Sequence, residues 1–368
     1  MPLDASTDAN DSRFMAAAIR LSRSHLGLTS TNPSVGTLIV RDGVIVGRGV
    51  TAVGGRPHAE PLALAEAGEL ARGATAYVTL EPCAHHGRTP PCAEALIAAG
   101  VVRVVGAASD PDARVSGRGY GMLRAAGIGV VEGVLSERAT DVMAGYLTRS
   151  LKKRPQVTLK LAVSRDGMIG LRGGGQVAIT GEIARRQVHM MRAEADAILI
   201  GIGTALADDP ELTCRLPGLE GRSPIRIVLD AQLRLRLDSK LVQSAREVPL
   251  MVAAAPGADA ERKKVLEAAG VKMLAAEMFE ARLALPELLD DLAGQGISSL
   301  IVEGGADTAR GFLADDLVDR IAIFTGPNEI GSEGVASPVD PHDMPSGFRK
   351  RRDGRYGDDG FVEWGRAD

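Results

Sequence analysis

Twice along its 368 residues the chain alternates short apolar strand patterns with helical ones, and the alternation breaks once, at "GYLTRSLKKRP". Alternation of this kind calls for sheets with helices packed on them. The break is a short basic run ending on Pro155, after which "QVTLKLAVSRDG" begins a fresh strand, so a domain boundary is expected near 147 to 154. The reading is an α/β chain of two domains, 1–148 and 152–368, each long enough to bury its own core.

In the first half, "SRFMAAAIRLSRSHLG" has helical spacing and "VGTLIVRDGVIVGRGV" reads as two strands turned by Asp42 and Gly43. "EPLALAEAGELARG" reads as helix, "ATAYVTLEPC" as strand, "CAEALIAAG" as a helix closed by Gly100, and "VVRVVGAASD" as a buried strand. In the second half "ADAILIGIGT", "PIRIVLD", "PLMVAAA" and "SSLIVEGG" are strands and "PELLDDLAGQG" is a helix. The basic segment "FRKRRDGRYG" reads as solvated surface.

Forty-three Lys and Arg against 47 Asp and Glu leave a net charge of −4, which offers no electrostatic footprint for nucleic acid or an anionic membrane. Small-molecule chemistry is favoured. "MPLDASTDANDSRFM" carries acids where a signal peptide is basic, and no apolar run is long enough to span a bilayer, so a cytoplasmic location is expected. Three cysteines, an odd count, agree with a reducing compartment.

Two of those cysteines lie close together, Cys83 and Cys92, downstream of His58 and Glu60 in "HAE". A catalytic zinc needs three protein ligands and an open position for water, and His58, Cys83 and Cys92 supply that set. Alone, His58 and Glu60 read as polar residues at a helix start. The Pro82-Cys83 pair tips the reading, because H-x-E followed by P-C-x-x-C is the zinc-deaminase signature, with the glutamate moving protons. Here eight residues separate the cysteines instead of two, a loop that can leave and return at little entropic cost. His85 or His86 in that loop would close the site if either became a fourth ligand. The chemistry implied is hydrolytic deamination of an amidine-like ring carbon, with Glu60 as acid and base.

"NPSVG", "HAE", "TLEPCAHHGRTPPC" and "SDPDARVSGRG" together resemble the deaminase half of the bifunctional riboflavin-biosynthesis deaminase/reductase family. The resemblance implies a cytidine-deaminase-like α/β/α domain. It also implies that the cysteine insert and the "DPDARVSGRG" segment face a phosphorylated ribosylaminopyrimidine. Asn32, a turn residue before Pro33 on its own terms, becomes a substrate contact. The family commonly has proline where this chain has Ala113.

No G-x-G-x-x-G follows a strand beyond residue 151, so a Rossmann dinucleotide site is unsupported. "LIGIGTALADDPEL" and "LIVEGGADTARGFL" nevertheless end strands in glycines, where ligands collect in α/β sheets. "TLKLAVSRDG", "AITG", "RAEADAILIGIGTALADDPELTCR", "PIRIVLD" and "LIVEGGADTARGFLADDLVD" resemble the family's reductase half, in its order. That implies a dihydrofolate-reductase-like α/β domain using NADPH. At matching positions, Ala162, Ala178, Thr204, Asp208, Gly305, Ala306, Asp307, Thr308, Ala309, Arg310 and Gly311 would hold the cofactor. Gln176, Arg192, Leu212, Arg215 and Glu303 would hold the substrate, with Arg192 and Arg215 suited to a sugar phosphate. Gln176 and Ala178 stand where the family often has Ser and Trp. Lys160, Asp208 and Glu303 are the ionisable candidates around the carbon that takes a hydride, Lys160 and Asp208 being the catalytic assignments. Cys214 reads as a packed thiol.

The expected protein is thus a bifunctional enzyme with one zinc and NADPH, a small phosphorylated pyrimidine as substrate, a homo-oligomeric state, and no nucleic-acid or membrane partner. Two rivals keep the zinc deaminase. One makes the second half the binding module of a nucleic-acid-editing enzyme, which a 3% aromatic content disfavours. The other makes it a silent regulatory or dimerisation domain.

Overall fold

The structure is a computed structural model that describes residues 9–86, 90–111, 116–173, 175, 177–280, 282–341 and 343–367. It divides into two compact units, Met1–Lys153 and Arg154–Asp368.

The first unit begins with α1 (Ala9–Ser22) and the hairpin β1 (Gly36–Arg41) and β2 (Val44–Val50). Then come α2 (Ala59–Ala67), β3 (Thr75–Leu80), α3 (Cys92–Ala98), β4 (Arg103–Ala108), α4 (Arg118–Ala125) and β5 (Gly129–Val131). Helices α5 (Ser136–Val142) and α6 (Ala144–Lys152) close it, with Lys153 in the left-handed region at φ 59°. Asp42 and Gly43 both take positive φ, 51° and 76°, the geometry of a tight hairpin turn whose twist matches its strands.

The sheet order is β2-β1-β3-β4-β5; β3, β4 and β5 run parallel because each connection between them crosses through a helix. Strands β1, β3 and β4 are buried along almost their whole length, so both faces of the sheet are covered. Helix α2 lies flush on β2 because that strand carries glycines. A methyl group at Gly47 would sit 2.2 Å from the Ala63 carbonyl oxygen, and one at Gly49 would sit 2.0 Å from that of Ala59. No other residue fits there, and this contact fixes the height of the helix that starts beside His58.

The second unit opens with β6 (Gln156–Val163), β7 (Met168–Leu171), α7 (Glu182–Glu194), β8 (Ala197–Gly201) and α8 (Ile202–Asp208). Next are β9 (Ile225–Leu229), α9 (Lys240–Gln243), β10 (Leu250–Ala254), α10 (Ala260–Ala268), β11 (Lys272–Ala275) and the small pair β12 (Met278–Phe279) and β13 (Arg282–Leu283). The last elements are α11 (Leu285–Gly294), β14 (Ser299–Glu303), α12 (Ala306–Ala314), β15 (Arg320–Thr325), β16 (Gly334–Ala336), β17 (Phe348–Tyr356) and β18 (Asp359–Arg366).

Nine strands form its main sheet in the order β11-β10-β9-β8-β14-β6-β15-β18-β17, parallel from β11 to β15 and antiparallel beyond. Central strands β8, β14 and β6 send their carboxyl ends to one edge. Strand β6 alternates: Val157, Leu159, Leu161 and Val163 enter the core, which turns Lys160 and Ala162 to the opposite face. The basic segment read as solvated surface is β17, an edge strand whose charged, exposed side chains protect it from pairing with another chain.

Candidate functional site

Helix α2 starts at His58, which takes the cap position with φ −67° and ψ 168°, and places Glu60 in its first turn. Cys83 lies just beyond the carboxyl end of β3, and Cys92 is the first residue of α3. These three elements bring the His58 Nδ1 to 3.3 Å from the Cys92 Sγ and 3.8 Å from the Cys83 Sγ. The Cys92 N–H donates to the Cys83 sulfur at 3.2 Å.

Two ligands held by zinc at about 2.0–2.3 Å in a tetrahedron stand about 3.5 Å apart, so the spacing suits the ion. Among the described residues the three form the one group of His, Cys and acidic side chains placed to share a metal. His85 and His86 do not join it, and the His86 Nε2 lies 3.4 Å from the Glu94 carboxylate. The set therefore stays at three donors with an open position, the catalytic rather than the structural pattern. The eight-residue excursion between the cysteines ends where it must, at the start of α3.

Glu60 is 4% exposed. Burial pushes its carboxyl above the ordinary range, against the pull of His58 and Cys92 beside it. Asn32 is half-buried, and its side chain packs so closely on Gly55, in the turn before His58, that a methyl there would lie 2.4 Å from the Asn32 Nδ2. Ala113 lies outside the described residues.

Sequence reasoning passed over Glu81. Its carboxylate accepts the N–H groups of Gly117 and Gly119, each at 3.0 Å. The signal was present: a carboxylate directly ahead of Pro-Cys sits at the carboxyl end of a parallel strand.

In the second unit a cavity of about 1260 Å³ opens at the carboxyl ends of β6, β8 and β14. Lys160, Ala162, Arg192, Thr204, Asp208, Leu212 and Glu303 line it, as do Gly305, Ala306, Asp307, Thr308, Arg310 and Gly311. The two glycine-rich strand ends grip each other. The Gly305 N–H donates to the Thr204 Oγ1 at 2.8 Å, and a methyl at Gly201 would lie 2.4 Å from the Thr308 Oγ1. Gly304, at φ 129°, takes a conformation closed to other residues. Leu212 is held at φ 57° and is buried, a strained backbone beside the cavity.

Glu303 is the hub. Arg192 donates Nε to Oε1 at 2.9 Å and Nη2 to Oε2 at 3.0 Å, and the Lys160 Nζ lies 3.7 Å from Oε2. Burial alone would raise the Glu303 carboxyl, but the charges of Arg192 and Lys160 outweigh it and hold the carboxyl at about 2. Burial lowers Lys160, partly countered by Glu303. Burial also raises Asp208.

Five assignments are corrected or left unplaced. Arg192 is not a free phosphate clamp, since its fork is taken by Glu303 and its Nη1 donates to the Thr213 carbonyl at 3.1 Å. Arg215 is exposed, pairs with Glu211 at 3.0 Å and is not part of the cavity lining. Ala178 is exposed and also off the lining, while Ala309 is buried in the core on the inner face of α12. Gln176 lies outside the described residues. Cys214 is buried, as read.

Comparison with known proteins agrees with this division. Residues 8–108 match the cytidine and deoxycytidylate deaminase zinc-binding region, and residues 155–357 match the RibD C-terminal domain. The riboflavin biosynthesis protein RibD of Aquifex aeolicus is 40% identical over 326 residues, 89% of each chain. The chain belongs to the RibD family. Form 1 of RibD from Acinetobacter baumannii superposes with a TM-score of 0.85 at 36% identity, covering 98% of this chain and 99% of that one. A diaminohydroxyphosphoribosylaminopyrimidine deaminase/5-amino-6-(5-phosphoribosylamino)uracil reductase from Thermotoga maritima does so at 0.84 and 33%, covering 97% and 99%.

As a RibD family member the chain is a bifunctional enzyme of riboflavin biosynthesis, with a zinc-binding deaminase domain and a reductase domain. The nucleic-acid-editing reading and the silent second domain both give way, because residues 155–357 match a reductase module. No helix among the described residues is long and apolar enough to cross a membrane.

Proposed function

We propose that the first unit hydrolytically removes an amino group from 2,5-diamino-6-(5-phosphoribosylamino)pyrimidin-4-one. The second unit then reduces the ribosyl group with NADPH to give 5-amino-6-(5-phosphoribitylamino)uracil. The observation that carries this reading is the three-donor cluster of His58, Cys83 and Cys92 beside the buried Glu60. The Thermotoga maritima relative bears both activities in its name.

Zinc held by the His58 Nδ1 and the two cysteine sulfurs would supply an acidified water at its open position. Glu60 would accept a proton at its carboxylate and return it to the leaving amino nitrogen. Its place in the first turn of α2 sets the carboxylate beside the donor cluster, and burial keeps bulk solvent from competing for the proton. Asn32, packed on the turn before His58, orients the pyrimidine.

NADPH would supply the hydride, so the second unit's task is to orient it and to deliver a proton. The Gly305–Thr308 end of α12, Thr204 and Asp208 hold the cofactor, and Lys160 delivers the proton from Nζ. Glu303 and Arg192 fix Lys160 in place. Leu212 shapes the substrate side.

Arg234 supports NADPH over NADH. Among the basic side chains lining the cavity, Lys160 and Arg192 face Glu303, Arg282 pairs with Asp315 at 2.5 Å, and Arg310 pairs with Asp307 at 2.9 Å. Arg234 is exposed and has no ion-pair partner among the described residues, so it is the cation left to take the cofactor's extra phosphate. A cytoplasmic, homo-oligomeric enzyme completes the reading. Incubating the purified chain with the pyrimidine, with and without NADPH, tests both halves at once.

A further inference from the structure

We propose that Arg262 is a positioning residue for cofactor selection in the reductase unit: it fixes the turn that presents Arg234 to the extra phosphate of NADPH. This rests on the reading of Arg234 above. Strands β9 and β10 are parallel neighbours, so the turn that follows β9 and the start of α10, which follows β10, lie at one carboxyl edge of the sheet. The cavity reaches that edge, where Asp230 and Arg234 line it from the turn and Asp259 from the approach to α10.

The turn is built to show one side chain. Leu233 and Leu235 are both buried, in the core around Val228 and Val252, while Arg234 between them is exposed and on the cavity wall. Burying both leucines strains the backbone, because Leu233 sits at φ 55°, where a bulky side chain is disfavoured. Asp230 holds the strained peptide from one side: its carbonyl accepts the Leu233 N–H at 3.1 Å and its Oδ2 accepts the Leu235 N–H at 2.8 Å. Arg262 holds it from the other. Its Nε donates to the Leu233 carbonyl at 3.1 Å and its Nη2 to the Leu235 carbonyl at 2.5 Å. One guanidinium therefore grips the peptide oxygens on both sides of Arg234, with charge-assisted bonds.

Arg262 is placed in turn by the start of its own helix. Asp259 caps α10, its Oδ1 accepting the N–H groups of Glu261 at 2.9 Å and Arg262 at 3.1 Å. The two carboxylates on this wall, Asp230 and Asp259, thus each bind backbone donors, while neither Arg234 nor Arg262 has an ion-pair partner among the described residues. Two cations without counter-charges in one turn suit a phosphate and offer nothing comparable to the bare hydroxyl that NADH carries there. Arg262 is not part of the cavity lining, so what it does for the cofactor passes through Arg234.

Full-length Arg262→Met keeps the apolar stem and removes both donors. Titration with NADPH and with NADH reads the two Kd values, and the variant should bind NADPH at least about fivefold more weakly with NADH within about twofold. Arg262→Lys, which keeps the charge but not the two-pronged grip, should lose part of the same discrimination, and it carries the test if the methionine variant does not fold. Placed in an Arg234→Leu background, Arg262→Met should weaken NADPH by less than about twofold, because the two residues act through one contact. Discrimination equal to wild type in the Arg262 variants, a parallel loss for both cofactors, or the full loss repeated in the Arg234→Leu background overturns the proposal. Arg234→Leu with wild-type discrimination would instead sink the reading on which the proposal rests.

Discussion

Arg192 and Glu303 meet as a paired fork, with two near-parallel hydrogen bonds of 2.9 and 3.0 Å, at the carboxyl edge of the reductase sheet. The pair comes from a helix and a strand 111 residues apart, and both side chains are about one-tenth exposed. With Lys160 beside it, Glu303 balances two cations in a site that excludes most water.

Removing that balance is costly. Glu303→Gln leaves Arg192 and Lys160 facing each other without a counter-charge, and a broken buried pair loses about 3 kcal/mol or more. The second unit's unfolding midpoint in urea should fall accordingly, with deamination kept at temperatures where both units remain folded.

The same pair gives a pH signature. The Glu303 carboxyl is held at about 2 against an ordinary 4.5, so its stabilisation is complete above pH 4.5 and is lost as pH falls toward about 2. Chemical denaturation across that window should show wild-type stability dropping more steeply than that of Glu303→Gln. Equal slopes would mean that the two cations do not act on this carboxyl.

Lys160→Ala should slow reduction by at least about a hundredfold, the usual range for a lost general acid, and leave ammonia release unchanged. Reduction rates for the variant measured on pre-deaminated pyrimidine check this without involving the first unit.

Glu60→Gln should keep zinc and lose ammonia release by about a hundredfold to ten-thousandfold. Chelation should abolish deamination and spare reduction, and added Zn²⁺ should restore it. An activity in Glu60→Gln equal to wild type would remove Glu60 from the chemistry.

Arg234→Leu should weaken NADPH binding roughly tenfold, the worth of one charge-assisted phosphate contact, and barely change NADH binding. A parallel loss for both cofactors would show that Arg234 contributes something other than phosphate recognition.

How much of this was legible in the sequence depends on range. The Asp42-Gly43 turn, the helix beginning at His58 and the Cys83 and Cys92 positions follow from local patterns, and the structure places all three as read. Ala309 failed for a local reason too. The stretch from Gly305 to Gly311 was taken as one lining, but α12 turns Ala306 and Ala309 inward while Asp307 and Arg310 point out. Arg192 lines the cavity as expected, but its partner was out of reach for a long-range reason, because no spacing announces that residue 303 fills its guanidinium. Arg226 is similar: its segment reads only as a strand, yet the arginine is fully buried, held by the Ser244 Oγ at 2.8 Å and by carbonyls of Glu211 and Ser244. The place of Glu81 at the end of β3 was legible, but its partners were not, since Gly117 and Gly119 reach it only once β4 pairs with β3.

The most direct test of the central claim is a product analysis by mass spectrometry. The purified chain, loaded with zinc, is incubated with 2,5-diamino-6-(5-phosphoribosylamino)pyrimidin-4-one, with and without NADPH. The account predicts the deaminated pyrimidine alone without cofactor, and the deaminated, ribityl product with it. Deamination in both tubes with no reduction would contradict the role given to Lys160 and its cavity, and unchanged substrate in both would contradict the deaminase built on His58, Glu60, Cys83 and Cys92.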